Sequence, residues 1–140
     1  MTSISLPTQL LLSLSNLQAQ LSKKIDAQLS VHGISFTEFI VMHHLSQAPN
    51  QTMRRIDLAD CVGLTASGVT RLLLPMEKLN WVEKEVNPRD ARVSLVKLSE
   101  SGAILFQEAA ASFENCAATI TRSLDRSQIR TLQSSLNALI

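Results

Sequence analysis

One stretch in the middle of the chain restricts the fold more than any other: Leu58-Ala59-Asp60-Cys61-Val62-Gly63-Leu64-Thr65-Ala66-Ser67-Gly68-Val69. Ala59, Gly63 and Val69 stand at the spacing of a helix-turn-helix. Two helices that cross steeply need a small residue where they touch, and Ala59 supplies it. The tight turn between them needs a left-handed backbone, which Gly63 adopts without a Cβ penalty. Val69 is placed to pack back onto the first helix, with Leu58, Val62, Leu64 and Leu72 expected to fill the remaining inward positions. A purely structural helical hairpin would satisfy the same pattern, so the surrounding residues must decide what it does.

Thr65 caps the second of these helices, expected to run to about Asn80. It presents Ala66, Ser67, Thr70, Arg71 and Leu74 opposite Val69, Leu72, Leu73 and Met76. Small residues near its start, Gly68 among them, let such a helix enter a major groove. There Ser67 and Thr70 can meet bases or phosphates, and Arg71 can pair with guanine or phosphate. The bland alternative is a solvated surface. Pro75 cannot donate to the Arg71 carbonyl, and a kink is expected there.

Trp81–Val86 then alternates like a strand, Asn87-Pro88-Arg89-Asp90 signals a turn, and Val93, Leu95 and Lys97 face away from Ser94, Val96 and Leu98. This predicts a hairpin with Arg89 and Arg92 at its tip. An arginine on a thin wing can reach a narrow minor groove, and Asp90 can hold Arg92 in place. The alternative is an exposed ion pair of little energetic value. Arg54 and Arg55 stand just before the third helix as two further cations for DNA.

The flanks are helical. Leu10, Leu14, Leu17, Leu21, Ile25 and Leu29 recur at helical spacing over 7–31, which Pro7 opens and Gly33 closes. Ser35 with Glu38 makes a capping box for a second helix carrying Phe39, Met42 and Leu45. A third helix is expected over 56–63. Ser99 opens a long helix to about Leu124, with Phe106, Phe113 and Ile120 seven residues apart, and Asp125 opens a last one with Ile129, Leu132, Leu136 and Leu139. The fold class is therefore mainly α with a small β-hairpin wing. The apolar stripes of the outer helices pack within the chain or across a dimer.

The 140 residues carry a net charge of only +1, so affinity for DNA must come from placed cations rather than from overall charge. The two cysteines, Cys61 and Cys116, form no metal-binding or disulfide pattern; both read as buried and inert in a reducing compartment. Before the leucines there is no lysine or arginine, and polar residues break the apolar run, so neither a signal peptide nor a membrane span is expected and the cytoplasm is the expected compartment. His43 and His44 are adjacent and point about 100° apart on a helix, which disfavours a shared metal; no metal site and no cofactor are expected. No glycine-rich phosphate loop, nucleophile elbow or oriented histidine points to an enzyme.

From about Ile34 to Gly102 the chain resembles the MarR family of winged helix-turn-helix regulators. The residues that carry the resemblance are Leu58-Ala59 with Gly63-Leu64, Val69-Thr70-Arg71-Leu72, Glu77-Lys78-Leu79, Asp90 and Arg92 in the wing, and Leu98-Ser99-Glu100-Ser101-Gly102. Asn80 and Trp81 stand where a glycine and an aliphatic residue are commoner. The resemblance implies one MarR-like domain over 1–140, with a winged helix-turn-helix lobe at 34–98 and dimerisation helices at 7–31 and 99–140. It implies a homodimer on a palindromic double-stranded operator, acting as a repressor released by a small aromatic or phenolic effector. The DNA-contacting set is then Thr65, Ser67, Gly68, Thr70, Arg71, Arg89, Asp90, Arg92, Arg54 and Arg55, with Arg92 as the family's wing arginine. Phe39, Met42 and His43 would line an effector pocket. A winged-helix module that binds protein instead of DNA is the reading from another class.

Overall fold

A computed structural model describes residues 3–140; the first two positions of the 1–140 unit lie outside the described residues. Helix α1 spans Leu6–Leu29 and closes through a three-ten turn at Ser30–His32, ended by Gly33 at φ 74°. Ser35 and Glu38 form the anticipated capping box at the start of α2, Phe36–Gln47. The Asp26 carboxylate accepts from the Phe36 amide at 2.7 Å, tying α1 to α2. Then come β1 (Thr52–Arg54), α3 (Arg55–Val62), α4 (Ala66–Lys78), β2 (Val82–Asn87), β3 (Asp90–Leu98), α5 (Glu100–Ile120) and α6 (Arg126–Asn137).

The hairpin has a third strand. Sequence periodicity predicts two strands, yet β1 pairs antiparallel with the free edge of β3, Met53 opposite Val96, giving the order β1-β3-β2. Three residues are too few to alternate visibly. A tight turn precedes it, where Asn50 and Gln51 both take φ 55°, and the free edge of β3 supplies its hydrogen-bond partners. Val82, Val96 and Leu98 face the core from the sheet.

The core gathers Ile25 and Leu29 of α1, Val41, Met42 and Leu45 of α2, Leu58 and Ala59 of α3, Val69, Leu73 and Met76 of α4, and Ala109 of α5. Ala59 is buried at the α3–α4 crossing and Gly63 takes φ 68°, as their spacing requires. Two expectations need correction. Leu64 is not an inward residue: it follows the left-handed turn, and its side chain lies over Gly68 at the surface, 38% exposed. Cys61 is exposed on the outer face of α3; only Cys116 is buried.

α5 is locked to the wing by a close backbone approach. A Cβ on Gly102 would sit 2.0 Å from the Trp81 carbonyl oxygen. The Ser99 amide donates to that carbonyl at 3.0 Å. The buried Ser99 hydroxyl lies within donating reach of both the Asn80 and Trp81 carbonyls, and accepts from the Gly102 amide at 2.9 Å. Ser101 donates to the Asn80 carbonyl at 2.7 Å. Asn80, at φ 61°, is what turns those carbonyls toward α5. Among the described residues no helix is long and apolar enough to cross a membrane.

Gly102→Ala should therefore destabilise the protein by about 1–3 kcal/mol or more, because the obstacle is backbone that cannot move aside. Gly68→Ala should cost far less: its nearest neighbour is the Thr65 hydroxyl at 3.2 Å, and a helix gains up to about 1 kcal/mol from the exchange. Urea midpoints at unchanged m-value compare the two directly.

Candidate nucleic-acid interface

α4 begins at a cap that doubles as part of its outward face. The Thr65 hydroxyl accepts from the Gly68 amide at 3.1 Å and stands 3.2 Å from the Ser67 hydroxyl. Thr70 donates its own proton to the Ala66 carbonyl at 3.1 Å, so toward a ligand it offers lone pairs and a methyl group. Ser67, Thr70 and Arg71 are exposed, and among the described residues Arg71 makes no salt bridge. The helix stays continuous through Pro75 to Lys78, and buries Val69, Leu73 and Met76 on the opposite face.

The wing tip is ordered by its own side chains. Asn87 accepts from the Arg89 amide at 2.9 Å, and the register shifts between Val86 and Asn87, a bulge that twists the tip. Asp90 holds Arg92 with three bonds: from its amide at 3.0 Å, its Nε at 3.1 Å and its Nη2 at 3.2 Å. The Arg92 side chain is nevertheless 91% exposed, so the carboxylate orients the guanidinium without covering it. Those guanidinium bonds first, and the Arg92 amide second, hold the Asp90 carboxyl below its ordinary 3.8.

Arg54, Arg55, Thr70 and Arg92 line one cleft of about 360 Å³ between α4 and the wing. Thr65, Ser67, Gly68, Arg71, Arg89 and Asp90 lie outside its lining. Arg54 is bound by Asp57 through Nε at 2.8 Å and Nη2 at 3.0 Å, which lowers the Asp57 carboxyl and raises the Arg54 guanidinium. Arg55 differs from the other cations. It forms an ion pair with Glu77 of α4, and both side chains are largely shielded. Sequence reasoning gives Glu77 a place in the motif but no partner, because an acid on a helix reads as solvated; its position one turn past the exposed Leu74 of α4 is the available signal.

The three residues expected around an effector are neighbours on α2, and none of them lines the cleft beside the wing or the groove between α1 and α5. Phe39 stacks on Phe113, centroids 4.7 Å apart, and Met42 has no exposed surface. His43 is exposed beside Phe106; burial first, and the neighbouring His43 second, lower the pKa of His44. A groove of about 690 Å³ lies between α1 and the end of α5, where Lys24, Gln28, Cys116, Ile120 and Arg122 meet. Among the described residues no cluster of three metal-binding side chains occurs.

The lowered Asp90 carboxyl predicts the acid behaviour of the wing. A carboxyl depressed in the folded state stabilises above its unfolded pKa and loses that contribution as pH falls through the folded one. The Asp90–Arg92 contact should thus persist to lower pH than an unpaired aspartate would allow, and open as pH falls through the depressed value. A carbonyl-carbon NMR titration should place Asp90 below 3.8, and Arg92→Ala should return it toward that value.

Residues 32–93 match the model of the MarR family. Among curated proteins the chain is similar to the transcriptional repressor MprA of Escherichia coli strain K12, 25% identical over 101 residues. That alignment covers 72% of this chain but only 57% of the relative, so the chain spans little more than half the repressor's length. In fold it is similar to a MarR family regulator of Streptomyces coelicolor solved in complex with DNA, with TM-score 0.87, 20% identity, and 99% and 89% of the two chains covered. It is similar also to the regulator BldR of Sulfolobus solfataricus, with TM-score 0.88, 18% identity, and 99% and 97% covered. These relatives are transcriptional regulators by name, not enzymes.

Proposed function

From the match of residues 32–93 to the MarR family model we propose that the protein is a MarR-type regulator of transcription: dimeric, sequence-specific, binding double-stranded DNA and acting as a repressor in the cytoplasm. The observation that carries this reading is the placement of an exposed, carboxylate-oriented Arg92 on the wing beside the outward face of α4, with Arg54 and Thr70 in the cleft between them. The N-terminal half of α4, from Ser67 to Arg71, would enter the major groove, and Arg92 the neighbouring minor groove. Arg89 would add a phosphate contact. The solved regulator complexed with DNA has the same fold, which supports the docking mode.

The dimer reading is supported by surface that one chain leaves uncovered. Leu6, Leu10 and Leu17 of α1 are each about half exposed or more, and α6 buries no residue although Leu132 and Leu136 line one side, with Leu139 exposed just past its end. A second copy crossing these helices about a two-fold axis would cover both stripes and set two α4 helices against the half-sites of a palindrome. On this reading 34–98 is the DNA-binding lobe, and 7–31 with 99–140 are the dimerisation helices. A small aromatic or phenolic effector would act by favouring a dimer whose reading helices are differently spaced.

Duplexes selected from a random pool by the wild-type protein, then titrated at two salt concentrations, test the reading. Selection of no sequence, with capture of a protein partner by the same face, would favour a winged-helix protein-interaction module. On the selected duplex Arg71→Ala should cost about 1–3 kcal/mol if it reads a base. Arg92→Ala should reduce the salt slope by about 1 per subunit for each phosphate that the arginine neutralises in the wild-type complex. Asp90→Ala removes a repulsive charge yet should weaken binding, because an unheld arginine loses more rotamer freedom on docking. The double variant should cost less than the sum of the singles; tighter binding by Asp90→Ala would reject the orienting role. Deleting 125–140 should give a monomer or an aggregate by light scattering, and a stable DNA-binding monomer would reject the dimer.

A further inference from the structure

Of the arginine–carboxylate pairs at the reading surface, Arg55–Glu77 is unlike the others. Arg54–Asp57 and Arg92–Asp90 are local, and their arginine side chains are 54% and 91% exposed. Arg55 and Glu77 come from different elements, the start of α3 and the last turn of α4, and are 16% and 20% exposed. Exposed pairs contribute little, whereas a shielded pair deprived of one partner leaves the other unmatched in a poorly hydrated place. Arg55 also keeps its Nε buried with no hydrogen-bond partner. Its guanidinium is thus arranged around Glu77 rather than around its own full set of donors. A cation meant for a phosphate would stand at the open rim, as Arg92 does.

Pro75 gives this pair something to do. It has no N–H for the Arg71 carbonyl, so α4 lacks a rung between the groove-facing residues and the last turn. Glu77 stands just beyond that gap. Trp81, next along, closes the helix by donating its amide to the Met76 carbonyl at 2.9 Å. Anything that holds Glu77 therefore holds both the far end of α4 and the base of the wing.

We propose that Arg55 and Glu77 are positioning residues: the pair braces α4 against α3 across the rung missing at Pro75, fixes the angle between the reading helix and the wing, and leaves Arg55 without a phosphate partner. The proposal rests on the DNA-binding reading above and removes Arg55 from the set of DNA-contacting residues expected from sequence.

Charge makes the proposal testable, because Arg55→Met removes a positive charge and Glu77→Gln a negative one. If either acted through long-range electrostatics on DNA, the two would change affinity in opposite directions. As a brace they should act alike. On the duplex selected by the wild-type protein each should bind about tenfold more weakly, and the double variant no worse than either single. Binding to poly(dI-dC), the non-specific probe, should change less than about twofold, and the salt slope should stay at the wild-type value, because the same phosphates remain neutralised. Arg55→Lys and Glu77→Asp, which keep the charges, should recover part of the affinity; they also serve as folded variants if the neutral ones fail to fold.

A second readout needs no DNA. Amide hydrogen exchange at Met76, Glu77 and Lys78 should quicken by about fivefold or more in both neutral variants, with Trp81 emission shifting in the same direction in each. If the wild-type protein selects no duplex, the DNA-binding reading fails and the exchange result alone supports or overturns the brace. Weaker binding to both duplexes by Arg55→Met with a salt slope lower by about 1 per subunit, together with tighter binding by Glu77→Gln, would make Arg55 a phosphate ligand and overturn the proposal. Unchanged exchange in both variants would overturn it as well.

Discussion

The interaction on which the arrangement depends is the approach of α5 to the carbonyl of Trp81. Nothing larger than glycine fits at Gly102, because that carbonyl would lie 2.0 Å from a Cβ. The carbonyls of Asn80 and Trp81 would be costly to bury unmatched, and Ser99 and Ser101 supply their donors. A long helix is thereby pinned at its first turn to the base of the wing. Its far end meets the C-terminal part of α1 around Lys24 and Gln28, on the same helix whose first half carries the uncovered leucines. A change in how α5 sits cannot leave the wing untouched, since no flexible linker intervenes between Leu98 and Glu100.

How much of this is legible in the sequence depends on whether a residue's job is local. Gly63 and Ala59 act through backbone conformation and size, and both stand as the spacing requires. The Ser35–Glu38 box and the Thr65 cap are contacts within one turn, and both form. The Asp90–Arg92 pair is also local, two residues apart, and it closes as anticipated. What escapes is non-local. β1 exists because an edge of β3 is available, not because three residues prefer a strand. His32 has no evident partner in sequence and finds the Ser112 hydroxyl 2.7 Å away on α5. Apolar character alone points Leu64 and Cys61 inward, and it does not distinguish a core position from one that edges a turn. The site is legible in its residue types and less so in their roles: Arg54, Arg55 and Arg92 are each held by a carboxylate, yet only Arg55 is shielded.

The carboxylates also account for how a chain of net charge +1 can offer a cationic surface. Asp57 and Asp90 are each placed against one guanidinium, so their charge is spent locally while the arginine still projects. Coulomb attraction to a distant phosphate is then weak, and Debye screening at physiological salt weakens it further. At contact the balance shifts: a phosphate can share an exposed, already oriented guanidinium, whose planar donors suit bidentate recognition. Such a surface discriminates by fit more than by charge. It would hold non-specific DNA loosely, leaving a larger share of the affinity to the groove contacts of α4.

On the DNA-binding reading, that division of labour puts weight on the rigidity of α4 and the wing. A surface with many free cations tolerates a misplaced helix, because any nearby phosphate will serve. One with few cations, each directed, does not: a shift of about 1 Å at α4 removes a hydrogen bond without offering another. α4 is nevertheless built with a proline in its second half and short polar residues in its first. The rigidity must therefore come from outside the helix. On one side α3 crosses it at Ala59; on another Trp81 caps its end and is itself held by the start of α5. The core residues Val69, Leu73 and Met76 fix its rotation about its own axis. Packing sets the rotation well, since a turned helix would expose all three, but it sets the tilt poorly, since side chains on one stripe allow rocking about that stripe. A directed polar contact at the far end of the helix is the kind of restraint that fixes tilt, and the shielded contact between Glu77 and Arg55 is one made by a side chain of the helix itself.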